Sequence, residues 1–146
     1  MKIVAIIPAR AGSRSIKNKN LIKIKNKPLI YYSINSAKKS NLINRIIVST
    51  DSKKIKEVAM RYGAEVPFLR PKKISGFLSR DIEYIKHCIN WLKKENYIPD
   101  LLILLRPTTP FRETKIINKA IKLVIKYKSD SLRSVSVAKE TPYKMW

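Results

Sequence analysis

The chain has 146 residues, of which 45% are hydrophobic, and its 32 lysines and arginines against 10 aspartates and glutamates give a formal net charge of +22. This length fits one domain, residues 1–146, with a small core. No apolar run approaches the ~18–20 residues that a membrane span needs, and the first residues carry charge too early for a secretory signal. Because Cys88 is the single cysteine, no disulfide can form within the chain. We therefore expect a soluble cytoplasmic protein without a membrane partner.

The high positive charge suggests nucleic-acid or anion binding as one interpretation. Lysine and isoleucine are both very common, however, and AT-rich coding sequence produces that joint bias whatever the function. The basic residues are scattered along the chain, and the mixture of aromatic and basic residues that single-strand binders use is absent. We expect no nucleic-acid partner. A basic nucleic-acid-binding module remains an alternative, which a salt titration of binding would separate.

Hydrophobic periodicity predicts an alternation of strands and helices along the chain. We predict strands at residues 2–8, 45–50, 64–69, 101–105 and 131–138, and helices at 28–40, 52–62, 79–95 and 114–128. The strand at 101–105 (LLILL) is the most hydrophobic, and we expect it to be central. The alternation indicates an α/β fold with a parallel sheet, helices on both faces, and ligands at the carboxyl ends of the strands.

The loop after the first strand, residues 8–20, has the composition of a phosphate site. Its cations are Arg10, Arg14, Lys17 and Lys19. A turn at Gly12 and Ser13 would let backbone N–H groups approach phosphate oxygens closely, while the cations neutralise them. On spacing alone, a solvated surface loop explains these residues equally well. The loop matches neither the dinucleotide-binding glycine fingerprint nor the P-loop pattern.

The segment IIPARAGSRSIKNKNL resembles the opening signature of the acylneuraminate cytidylyltransferases, or CMP-sialic acid synthetases. Five further stretches agree in order: KPLIYYSI, IIVSTDS, YGAEVPFLRP, LLILLRPTTPFR and PYKMW. The resemblance implies an α/β, Rossmann-like, three-layer nucleotidyltransferase fold with a mostly parallel sheet. Family members continue well past the PYKMW position, so we expect this chain to lack the family's C-terminal part.

The resemblance also implies the reaction. The anomeric hydroxyl of a sialic-acid-type nonulosonic acid attacks the α-phosphorus of CTP, and pyrophosphate leaves. Two alternatives stay open: a non-catalytic nucleotide-binding remnant, and a cytidylyltransferase for a different 2-keto-3-deoxy sugar acid. Mg²⁺ is implied as cofactor, with its acidic ligands expected beyond residue 146 and none in this chain. The full-length form is expected to be a homodimer.

Site residues follow from the same resemblance, position by position. Lys19 and Arg10 match catalytic cations, with Lys19 the main stabiliser of the α-phosphate in the transition state. The nucleotide-binding set is Arg10, Gly12, Ser13, Arg14, Asn20, Arg70, Ser79 and Asp81. Arg106 stands where many members have glutamine beside the sugar, and an arginine there could pair bidentately with the substrate carboxylate. Thr108 is assigned to the sugar from its position after the strand at 101–105, where its hydroxyl could contact substrate, although a helix-start motif explains it too.

Several residues also have ordinary structural explanations. Asp51 follows a buried strand and could touch a metal, although capping the next helix through its side chain is the favoured interpretation. Lys17 matches no family position and is expected to be solvated. Phe77 and Leu78 stand where many members have Asp-Thr, which departs from the family's pocket pattern.

Overall fold

The computed structural model describes residues 1–13, 16–135 and 137. Its strands are β1 (Ile3–Pro8), β2 (Lys23–Ile24), β3 (Lys27–Pro28), β4 (Arg45–Ser49) and β5 (Leu101–Leu104). Its α-helices are α1 (Leu29–Lys38), α2 (Lys53–Arg61), α3 (Asp81–Lys94) and α4 (Thr114–Tyr127), and short 3-10 helices lie at Lys19–Leu21 and Lys72–Ile74. Every predicted helix is present, with bounds shifted by at most a few residues.

The main sheet is parallel, in the order β4–β1–β5. Val4 of β1 pairs with Arg45 on one side and with Leu102 on the other. The expectation that residues 101–105 form the central strand is therefore wrong, because β1 occupies that place. The burial of the two strands agrees with this order, since Ile3–Ile7 of β1 are all buried whereas every residue of β5 is only half-buried.

Two predicted strands do not form in the described residues. The segment 64–69 contributes a single bridge, between Glu65 and Ile47. Pro67 follows two residues later and has no backbone N–H to continue the ladder. Residues 131–135 are irregular, and residues 136 and 138 of the predicted strand lie outside the described residues. The alternating pattern at 131–138 needs a neighbouring strand and a face to bury, whereas Val135 is 90% exposed.

A small antiparallel hairpin, β2–β3, was not predicted from the sequence. Its two turn residues, Lys25 and Asn26, have φ values of 47° and 61°. Two successive left-handed residues are what a tight two-residue hairpin turn requires. The usual Asn-Gly signal is absent here, which is why the sequence pattern did not reveal it. The Tyr32 hydroxyl of α1 donates to the Ile24 carbonyl and ties the hairpin to the helix.

Helices cover both faces of the sheet and form three layers, as predicted. Helices α1, α2 and α4 pack on one face, through side chains that include Ile34, Ala59 and Ile121, against alternate residues of β1. Helix α3 packs on the other face, where Cys88 and Leu92 join the remaining side chains of β1. No helix within the described ranges is both long and apolar enough to cross a membrane.

Cys88 gives a direct test of this packing. Its side chain is fully buried, and burial raises the pKa of its thiol to about 12. The thiolate is the reactive form, so we expect no reaction with Ellman's reagent in the folded protein at pH 8. One thiol per chain should react in guanidinium chloride. Rapid labelling of the folded protein would show that α3 does not pack against β1 in this way.

Candidate functional site

Polar residues gather at the carboxyl edge of the sheet, where β1, β4 and β5 all end because the strands are parallel. The Ala9 N–H donates to the Ser49 carbonyl at 2.9 Å, and the Leu105 N–H donates to the Ile6 carbonyl at 3.0 Å. These bonds continue the sheet ladders one residue past the strands. The loop that leaves β1 therefore emerges between the ends of β4 and β5.

This loop is held in place by Asp51, whose Oδ1 accepts a hydrogen bond from the Ala11 N–H at 2.8 Å. The expectation that Asp51 caps α2 is wrong. Ser52 is the cap, and its Oγ accepts from the Ile55 N–H at 3.3 Å, because Ser52 directly precedes the first helical residue. Among the described residues, no atom lies within 4 Å of a Cβ placed on Gly12. Gly12 is thus not packed against any of them.

The second half of the loop carries Lys19 and Asn20 on a 3-10 turn. Asn20 Nδ2 donates to the Arg10 carbonyl at 3.0 Å, so Asn20 ties the end of the loop to its beginning. Lys19 is half-buried, whereas Lys17 is exposed. Arg14, a predicted nucleotide-binding residue, lies outside the described residues.

Arg70 is buried beside this loop, with 5% of its surface exposed. Its Nε donates to Ser49 Oγ at 3.0 Å, and its Nη2 donates to the Ser49 carbonyl at 2.6 Å. Its guanidinium lies over the Tyr84 ring, 4.6 Å from the centroid. Burial lowers the pKa of Arg70, although the nearby charges of Asp51 and Asp81 act in the opposite direction and that of Arg10 acts in the same direction. No carboxylate of the described residues forms a salt bridge with Arg70, so an anionic ligand would complete its surroundings.

The start of α3 and the segment after β5 complete the site. Arg106 Nη2 forms an ion pair with Asp81 Oδ2, and both side chains are about half exposed. The Arg10 guanidinium lies 6.0 Å from the centroid of the Phe77 ring, which brings the segment before α3 against the loop after β1. The remaining predicted residues, Ser13, Ser79 and Thr108, lie on the same three segments, and Thr108 is exposed.

Two residues in this arrangement were missed from the sequence: Ser49 and Tyr84. The Ser49 carbonyl accepts from both Ala9 and Arg70, so it joins the loop to the buried arginine. The position of Ser49 at the end of a buried strand was the feature of the sequence that could have identified it as a site residue. Tyr84 follows Asp81 by three residues, so the two share one helix face. That spacing alone gave no sign of contact with Arg70.

The described carboxylates do not fit a magnesium site. No group of three or more His, Cys, Asp or Glu comes together within residues 1–13, 16–135 and 137. Asp51 is bonded to the Ala11 N–H, and Asp81 is paired with Arg106.

The fold is shared with solved nucleotidyltransferase structures. CMP:2-keto-3-deoxy-manno-octonic acid synthetase in complex with CTP superposes with a TM-score of 0.71 at 20% identity, over 88% of this chain and 49% of that one. A cytidylyltransferase from Leptospira borgpetersenii gives 0.68 at 21% identity, over 86% and 50%. The chain therefore has a Rossmann-like nucleotidyltransferase fold.

The sequence model of the cytidylyltransferase family matches residues 4–142, and the chain belongs to this family. It is 38% identical to pseudaminic acid cytidylyltransferase of Campylobacter jejuni over 132 residues, 90% of this chain and 57% of the relative. It is 39% identical over 123 residues to CMP-N,N'-diacetyllegionaminic acid synthase of Legionella pneumophila, 84% of this chain and 53% of the relative. N-acylneuraminate cytidylyltransferase of Escherichia coli is 39% identical over 123 residues, 84% of this chain and 28% of the relative. The resemblance seen in the sequence is confirmed, and the chain spans about half the length of the first two relatives.

Proposed function

We propose that this protein transfers CMP from CTP to the anomeric hydroxyl of a sialic-acid-type nonulosonic acid and releases pyrophosphate. The observation that carries the proposal is Arg70. It is a buried cation that forms no salt bridge with a carboxylate of the described residues, and it donates to the Ser49 carbonyl that also holds the loop after β1. The triphosphate group of a nucleoside triphosphate supplies the negative charge that would neutralise the Arg70 guanidinium. The names of the relatives, which refer to three different nonulosonic acids, support the choice of substrate class.

In the proposed reaction the sugar hydroxyl oxygen forms a bond to the α-phosphorus, and the bond from that phosphorus to the bridging oxygen of pyrophosphate breaks. Protein groups contribute mainly position and charge in such transfers. We assign Lys19 to the α-phosphate in the transition state, and Arg10 and Arg70 to the phosphates of bound CTP. Gly12, Ser13, Arg14, Asn20, Ser79 and Asp81 complete the proposed nucleotide site.

The sugar side of the site is assigned to Arg106 and Thr108. The Asp81 pair uses only Nη2 of Arg106. A guanidinium has five donors in a planar fork, so Arg106 has further N–H groups for a substrate carboxylate. Every nonulosonic acid carries that carboxylate, so Arg106 supports the class of substrate and leaves the individual sugar open.

The cofactor, location and assembly are part of the same proposal. Mg²⁺ would accompany the triphosphate, held mainly by phosphate oxygens and water, which is its common mode of binding. The reaction is placed in the cytoplasm, where CTP is made, and the homodimer stays a prediction. The non-catalytic nucleotide-binding remnant remains the alternative function, and it differs in showing CTP binding without pyrophosphate release.

Nucleotide choice tests the proposal. We expect CTP to stabilise the protein against heat more than ATP, GTP or UTP at equal concentration. A ligand at 100 times its Kd adds about 2.7 kcal/mol to the free energy of unfolding, which is readily measured as a shift in Tm. Equal shifts with all four nucleotides would remove the cytidine assignment, and no shift with any of them would remove nucleotide binding altogether.

A further inference from the structure

We propose that Tyr84 is a positioning residue for nucleotide binding, whose ring holds the buried Arg70 guanidinium in the orientation that meets the triphosphate. This inference rests on the proposed function and adds a residue to it. Tyr84 belongs to α3, whereas Arg70 lies in the loop that follows the Glu65 bridge. The inference thus makes the docking of α3 part of the nucleotide site.

The Tyr84 ring is itself fixed firmly. It is 4% exposed and shares the buried face of α3 with Cys88 and Leu92, which pack against Val4 and Ile6 of the central strand. The Arg70 guanidinium lies over the face of this ring at 4.6 Å. Two hydrogen bonds to Ser49 fix the edge of the guanidinium, and the aromatic face fixes its plane.

Arg45 is a second arginine stacked on aromatic rings, and unlike Arg70 it has charged partners. It also lies over aromatic rings, those of Trp91 and Tyr97. It differs in forming ion pairs with both Glu65 and Glu95, and its pKa is raised, first through its hydrogen bond to Glu65. Arg45 is thus neutralised within the protein.

Arg70 by contrast forms no ion pair with any described residue, and Asp51 and Asp81 act on it only through space. Its direct contacts there are with a hydroxyl, a carbonyl and an aromatic ring. Such partners orient a guanidinium without neutralising it. Its positive charge therefore stays available to an external anion. A ring that fixes such a cation before CTP arrives lowers the cost of ordering it on binding.

The Tyr84 hydroxyl takes no part in this role. It is buried, and within the described residues it lies beside the Asp81 carboxylate without a hydrogen bond of good geometry. Burial raises the pKa of Tyr84, and the negative charge of Asp81 raises it further, so the hydroxyl stays neutral. Phenylalanine presents the same aromatic face to Arg70, whereas leucine is apolar and smaller and has no aromatic face. This difference provides a matched pair of variants.

The test compares CTP affinity, measured by calorimetry, for Tyr84→Phe and Tyr84→Leu, each alone and combined with Arg70→Met. We expect Tyr84→Phe to bind CTP within about twofold of the parent protein. Tyr84→Leu should weaken binding about 3- to 10-fold, the cost of ordering one long side chain when CTP binds. With Arg70→Met already present, Tyr84→Leu should have no further effect, because the cation that the ring holds is gone.

Leu92→Ala is the control for packing, since it lies on the same face of α3 toward the other end of the helix. It should lower Tm through the cavity it leaves, without changing CTP affinity. The inference is overturned if Tyr84→Leu binds CTP as well as Tyr84→Phe, or weakens binding equally with and without Arg70. When the Arg70→Met protein binds CTP too weakly to measure, the ratio of the CTP dissociation constants of Tyr84→Leu and Tyr84→Phe decides alone. Absence of CTP binding by the parent protein would overturn the proposed function itself.

Discussion

Replacing Lys19 by alanine is expected to lower turnover by a factor on the order of 10²–10³, the usual effect of removing one preorganised contact to a developing charge. CTP affinity should change far less. In the proposed site Lys19 acts on the α-phosphate, where negative charge must be stabilised as the new bond forms. Arg10 and Arg70 share the binding of CTP in the ground state. Only the difference between ground-state and transition-state stabilisation changes the rate.

Lys17→Ala is the matched control, since it removes the same charge from the same loop. Lys17 is exposed, whereas Lys19 is half-buried on the 3-10 turn beside Asn20. We expect Lys17→Ala to change turnover by less than about threefold, as a solvated surface charge predicts. Turnover is measured as pyrophosphate release in a protein extended to the full length of the curated relatives, of which this chain spans about half. Equal losses from both substitutions would mean that the loop is only a diffuse basic patch.

The helices and the strands β1, β4 and β5 followed from local pattern, because one apolar stripe or one apolar run specifies each of them. The order of the strands did not follow. The LLILL segment is the most hydrophobic, yet it lies beside β1 with every residue half-buried. Hydrophobicity predicts that a strand is buried, but which strands become neighbours depends on the whole chain. The turn at Lys25 and Asn26 was missed for a local reason, since neither residue is a glycine.

The candidate site divides in the same way. The loop cations and Gly12 could be chosen from composition and position after a buried strand. The contacts that orient them could not, because they join residues distant in the sequence: Asp51 with Ala11, and Tyr84 with Arg70. Asp51 shows the difficulty, since an aspartate just before a helix can either cap that helix or accept a hydrogen bond from a neighbouring loop. The adjacent Ser52 takes the cap and leaves Asp51 for the loop.

Replacing Asp51 by alanine is expected to weaken CTP binding about 10- to 100-fold, although Asp51 need not touch the nucleotide. A hydrogen bond to a charged group contributes about 1.5–3 kcal/mol, and here it holds the Ala11 N–H and with it the turn at Gly12. Without that bond the loop must be ordered when CTP binds. Asp51→Asn should bind CTP within a fewfold of the parent protein, because the amide oxygen still accepts from Ala11.

Ser52→Ala separates this effect from helix stability. Loss of the cap should lower the free energy of unfolding by about 1 kcal/mol and leave CTP affinity unchanged, since the Ser52 side chain accepts from the Ile55 N–H of α2 and bonds to no other described residue outside its own turn. The measurements are calorimetric CTP affinity and denaturant unfolding for the three variants. An Asp51→Ala protein that binds CTP as the parent does would show that the loop is ordered by other contacts. A comparable loss of affinity in Ser52→Ala would instead show that α2, and not the Asp51 bond, shapes the site.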